Sequence, residues 1–196
     1  MPGQAAFPAD EKTLLLNYIA QQRDGIRNAA YGLTDEQARL TPTAGTLSIG
    51  GLVKHVASVE RHWIDMVLQV TDDRPMEEKT AGYADGFALG KDESLAEVLA
   101  VYEKTAKRTE EVLAGIDDLD QAVPVPQGVP WFPADLEAWS VRWVLLHLIE
   151  ETARHAGHAD IVRESIDGAT MYALMAAAEG WPETPWLKPW KSASAS

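Results

Sequence analysis

The sequence predicts an all-α fold, a four-helix bundle with long crossover loops, and three observations carry that expectation. Four long stretches place apolar residues at helical spacing. Capping residues and glycine stops bracket them, and two Pro/Gly-rich, aperiodic segments separate them. No stretch shows a convincing strand alternation, which leaves helices packing on helices.

Residues 1–9 are a Pro/Gly/Ala lead, read as an irregular arm. Asp10 caps a first helix from about Glu11 to Tyr31, with Leu15, Tyr18, Ile19, Gln22 and Ile26 on its inner face and Gly32 as its stop. Thr34 and Gln37 form a capping box for a short second helical turn, and a loop follows from Pro42 to Gly45. The next helix starts near Ser48 and runs to about Val70. Its apolar arc holds Ile49, Leu52, Val53, Val56, Val59, Trp63, Ile64 and Val67, with His55 and His62 along one edge. Glu60 falls inside that arc, where a charge needs a partner or a role beside a functional group; a narrower arc would instead leave it exposed.

Residues 71–93 are polar, Gly-rich and aperiodic, a crossover of the kind that serves as a lid or substrate wall. Ser94 and Glu97 open a helix to about Gly115 with a second capping box. The irregular stretch 116–139 carries four prolines together with Trp131, Phe132 and Trp139. Ser140 to Gly168 then reads as one long helix. A short amphipathic helix follows, and WPETPWLKPWKSASAS packs as an extended Trp/Pro-rich strap whose last five residues are expected to be disordered. The whole is one domain, 1–196, with its core over about 10–170 and a C-terminal extension over 171–196.

Among 196 residues the net charge of −13 argues against nucleic acid phosphates and, more weakly, against anionic membranes as partners. The absence of cysteine removes disulfides, thiolate zinc sites and a cysteine nucleophile. No apolar run is long enough to span a bilayer, and MPGQAAFPAD does not have the form of a secretory signal, so the cytoplasm is the expected compartment. No GxSxG, P-loop, GxGxxG or HExxH occurs, and Ser48 and Ser140 have the simpler task of capping helices.

The long last helix carries the chemistry. At about 100° per residue, Val144, Leu148 and Val162 share a face with His147, Glu151, His155 and His158, and these four ionisable residues lie within an arc of roughly 80°. Three of the five histidines therefore lie along an apolar stripe, where ionisable groups need partners or a metal. Glu151 and His155, at i and i+4, point the same way and can share one ion. His55, from the second long helix, is the best-placed third ligand. Two histidines and a glutamate, leaving one position open, form the donor set of a catalytic zinc site, and the same set also suits nickel, iron or manganese. His147 and His158 then stand beside the ion or face the substrate, with His158 also a replacement ligand. The same spacing fits a solvated, salt-bridged face, and spacing alone leaves both readings open.

Two segments, LSIGGLVKH (47–55) with VERHW (59–63), and WSVRWVLLHLIEETARHAGHAD (139–160), resemble the DinB/YfiT-like superfamily, most closely its branch of mini-circle proteins. The resemblance spans about residues 10–170. It implies a four-helix bundle holding a divalent metal, zinc first, through one histidine of the second helix and two residues of the last. Many relatives place histidine where this chain has Glu151; the Glu-x-x-x-His form is shared with the mycothiol-dependent maleylpyruvate isomerase branch. It further implies S-transfer or isomerisation of small electrophiles with a low-molecular-weight thiol such as mycothiol, bacillithiol or glutathione. Relatives often dimerise, a role the strap would serve here. Two other readings are a metal-dependent hydrolase, with Glu60 or His158 as general base, and a non-enzymatic stress or ligand-binding bundle.

Overall fold

The computed structural model describes residues 4–8, 10–70, 75, 78 and 85–192. Among them are six α-helices: α1 (Glu11–Ala30), α2 (Asp35–Arg39), α3 (Ile49–Val67), α4 (Leu95–Ala114), α5 (Val141–Asp167) and α6 (Met171–Ala178). A 3₁₀ turn, Asp85–Phe87, precedes α4, and strands β1 (Ala122–Pro124) and β2 (Ala138–Ser140) precede α5.

The long helices begin where side chains satisfy their free N–H groups. Asp10 accepts from Thr13 N, Ser48 from Gly51 N, Ser94 from Glu97 N and Ser140 from Trp143 N. Both predicted capping boxes, Thr34 with Gln37 and Ser94 with Glu97, are reciprocal. Gly168 ends α5 in the left-handed region, φ 75°. α3 ends at Val67 rather than near Val70, because Gln69 takes φ 54° and the chain leaves the helical path.

Two apolar clusters show how the helices run. One gathers Ile26, Ala29, Leu52, Val53, Val56, Val98, Ala159 and Val162; the other gathers Leu15, Ile19, Ile64, Leu113, Val144 and Leu148. The C-terminal halves of α1 and α5 thus meet the N-terminal halves of α3 and α4. α1 and α5 point one way, α3 and α4 the other. α3 and α4 therefore start at the same end of the bundle, the arrangement of a bundle with a crossover connection. The functional expectation for 71–93 falls largely on residues outside those described. Its final part is anchored: Gly90 and Glu93 carbonyls accept from Arg39 of α2, and the Glu93 carboxylate pairs with Lys54 of α3 at 2.8 Å.

Three expectations need correction. A small antiparallel pair exists, with Val123 opposite Trp139, both buried. Three-residue strands are too short to show an alternation in the sequence. On α1, Tyr18 is 43% exposed and the buried polar residues are Arg23 and Asn28 rather than Gln22. His62 is exposed instead of sharing the buried line of His55, with its ring edge-on to Trp63 at 6.3 Å.

The extension is fastened to the bundle. Arg163, fully buried, donates to the carbonyls of Ala29 and Tyr31 at the end of α1 and lies under the Trp190 ring at 4.8 Å. Gly32, at φ 71°, leaves room for that indole; a Cβ there would overlap it. Trp186, by contrast, is 80% exposed. The disorder expected of the last five residues falls, for 193–196, outside the described residues.

Candidate metal centre

α3 and α5 face each other, and that seam joins His55 to Glu151 and His155. His55 is buried on the second turn of α3, and Glu151 and His155 sit on successive turns of α5. The Nε2 atoms of both imidazoles meet one oxygen: His55 Nε2 lies 3.4 Å and His155 Nε2 3.2 Å from Glu151 Oε1. The rings stand edge to face, 4.7 Å between centroids. Hydrogen bonding to His155 and then to His55 holds the Glu151 carboxyl well below the usual carboxylate range, against the opposing effect of burial.

The donor set fits a divalent cation. One ligand atom from each of the three residues lies within 4.8 Å of the others. In a tetrahedral site with bonds of about 2.0–2.2 Å, neighbouring ligand atoms stand roughly 3.3–3.6 Å apart, close to the spacings around Glu151 Oε1. Two nitrogens and an oxygen without sulfur suit zinc, nickel, iron or manganese, and the geometry does not choose among them.

Phe87, which the sequence reading missed, covers one side. Its ring stacks on His55 at 3.8 Å and 21°. The 3₁₀ turn reaches α3 because Gly50 and Gly51 present bare backbone: a Cβ on Gly51 would overlap the Phe87 carbonyl, and one on Gly50 would crowd Leu89. That glycine pair in the first turn of a helix was the available sequence signal.

The remaining predicted residues occupy different places. His158 stands edge-on to His155 at 5.5 Å, and its Nδ1, like that of His155, is buried with no hydrogen-bond partner among the described residues. His147 lies one turn before Glu151, stacked on Trp143 at 5.2 Å and edge-on to Trp63 at 4.6 Å. Glu60 is not brought to the triad. Its carboxylate faces α1 and α4, accepting from Arg23 Nη2 at 2.7 Å, Arg23 Nε at 3.1 Å and Thr109 Oγ1 at 2.6 Å. The expected buried pairing is present, and its partner is a residue the periodicity of α1 did not single out.

The sequence model of the mycothiol-S-transferase family matches residues 14–168. The chain belongs to the mycothiol-S-transferase family. The match spans α3 and α5 together, so all three donors of this family member lie inside it. Its fold is shared by a solved structure, a conserved protein from Enterococcus faecalis, at TM-score 0.60 and 14% identity, covering 84% of this chain and 100% of that one. No curated protein matches this mycothiol-S-transferase family member.

Proposed function

We propose that the protein is a divalent-metal-dependent S-transferase that joins a low-molecular-weight thiol of the mycothiol type to a small electrophile. The observation that carries this reading is the convergence of His55 Nε2 and His155 Nε2 on Glu151 Oε1, within a chain that belongs to the mycothiol-S-transferase family. His55, Glu151 and His155 would hold the ion, with zinc the first choice. A bound divalent cation lowers the pKa of a thiol and keeps it as the nucleophilic thiolate near neutral pH.

The chain's own residues supply the rest. Glu151 draws the two Nε2 atoms together ahead of the ion, and Phe87 covers one face of His55. His158, with a buried and unpaired Nδ1 beside His155, is the proposed acceptor of the thiol proton. Glu60 is left outside the proposed chemistry because its oxygens are already engaged by Arg23 and Thr109. Among the described residues no helix is long and apolar enough to cross a membrane.

The test is metal analysis followed by an assay with mycothiol and monochlorobimane. Wild type is expected to bind about one ion per chain and to form the bimane thioether, with chloride leaving as the C–S bond forms. His155→Ala is expected to do neither. A wild type that binds no metal, or that hydrolyses esters without thiol and never forms the thioether, overturns the reading.

A further inference from the structure

α5 continues the line of the metal triad toward its own N-terminus in aromatic residues. Trp143, His147, Glu151 and His155 follow one another at intervals of four along α5, with neighbours about one turn, roughly 6 Å, apart, and Trp139, at the same interval, sits in β2 just before the helix. The first three rings are nearly parallel. Trp139 and Trp143 are 5.1 Å apart at 13°, and Trp143 and His147 are 5.2 Å apart at 11°. Trp63 of α3 stands edge-on to Trp139 and His147, at 5.2 Å and 4.6 Å, and tilted against Trp143 at 5.3 Å. Because α3 runs opposite to α5, Trp63 and His55 lie two turns apart on the same seam that separates His147 from the triad.

Trp63 and Trp139 are buried and fix the wall from behind, while Trp143 is 40% exposed. The side chains of His147 and Glu151 are 26% and 20% exposed, so partly open groups run without a break from the surface to the triad. The row of rings stops at His147, one turn short of Glu151. A flat ring packed against the outer face of His147, beside the Glu151 side chain, would extend the row of rings and stand next to the proposed metal centre.

We infer that this ladder is the electrophile subsite, and that it selects planar, electron-poor aromatic or conjugated electrophiles. The inference rests on the thiol-transfer reading above. Indole and imidazole rings are electron-rich and stack offset on electron-poor rings, whereas an aliphatic electrophile gains nothing specific from such a wall. The strongly negative chain also disfavours anionic substrates. On an aryl chloride the step is balanced: the thiolate sulfur bonds to the ring carbon, chloride leaves with its electron pair, and the thiol proton has gone to His158.

The test compares 1-chloro-2,4-dinitrobenzene with iodoacetamide, using mycothiol and the metal-loaded full chain. Trp143→Ala is the variant, because its ring is part exposed and its loss spares the buried wall. The ratio of kcat/KM for the aryl over the alkyl substrate is expected to fall about tenfold, through KM for the aryl chloride, and Trp143→Phe is expected to restore most of it. Calorimetric titration with unreactive 1,3-dinitrobenzene is expected to show binding to wild type and about tenfold weaker binding to Trp143→Ala. An unchanged ratio, or a rise confined to KM for mycothiol, overturns the inference. If wild type turns over neither electrophile, the function reading fails, and the titration still decides whether the ladder binds flat rings.

Discussion

Gly51 and Phe87 are in backbone contact: the turn carrying Phe87 rests on the bare helix surface at Gly51, and its ring thereby stacks on His55. A methyl group at Gly51 would lift the turn and remove that ring. Phe87→Ala is expected to weaken zinc binding about tenfold, the lower end of the effect of groups that orient metal ligands. Gly51→Ala is expected to match it while also lowering the melting temperature. Competition titration with a chromophoric chelator measures both, and equal affinity in all three proteins would refute the arrangement.

The Glu151 carboxyl, depressed by His155 and His55, makes metal-free stability depend on pH in a defined direction. A group depressed in the fold binds fewer protons than in the unfolded chain. Its stabilisation is complete above the ordinary value of 4.5 and is lost as pH falls below it. Urea unfolding of the metal-free protein is expected to show this loss, and Glu151→Gln to flatten it by about 1–3 kcal/mol, the worth of hydrogen bonds to a charged group. The same variant is expected to lose tight metal binding.

Asp160 has the opposite sign. Burial, aided by Glu164 one turn on, raises its carboxyl to about 6. The fold then binds more protons than the unfolded chain between 3.8 and about 6, so stability declines as pH rises through that window. Asp160→Asn is expected to stabilise the protein at pH 8 by about 1–2 kcal/mol, less than the full shift implies because the residue is part exposed. At pH 3.5 it is expected to change nothing. Melting curves at both pH values decide it.

Arg23 and Glu60 form a doubly hydrogen-bonded pair, both side chains 2% exposed, completed by Thr109. Removing Arg23 strands the buried Glu60 carboxylate, and removing Glu60 leaves the buried Arg23 only its pair with the more exposed Glu110. Glu60→Leu or Arg23→Met alone is expected to cost about 3–5 kcal/mol, and the double variant to recover much of it. Metal affinity is expected to survive in all variants that fold. A Glu60→Gln protein with native stability but no S-transfer would return Glu60 to the chemistry.

The sequence by itself determined the elements and the triad's types. Caps, stops and apolar periodicity are local, so Ser48, Ser94, Ser140 and Gly168 could be read directly. Glu151 and His155 were legible as a pair for the same reason, since i and i+4 are neighbours on any helix. Only the tertiary structure decided which carboxylate lies where. Glu60 and Glu151 look alike on their helical wheels, but α3 turns Glu60 toward Arg23 and Thr109, and α5 turns Glu151 toward His55. The four-residue spacing of Trp139, Trp143 and His147 lay in the sequence, but the ring of Phe87 on His55 and that of Trp63 against His147 did not, because a ring's neighbour across a seam is set by how the elements dock.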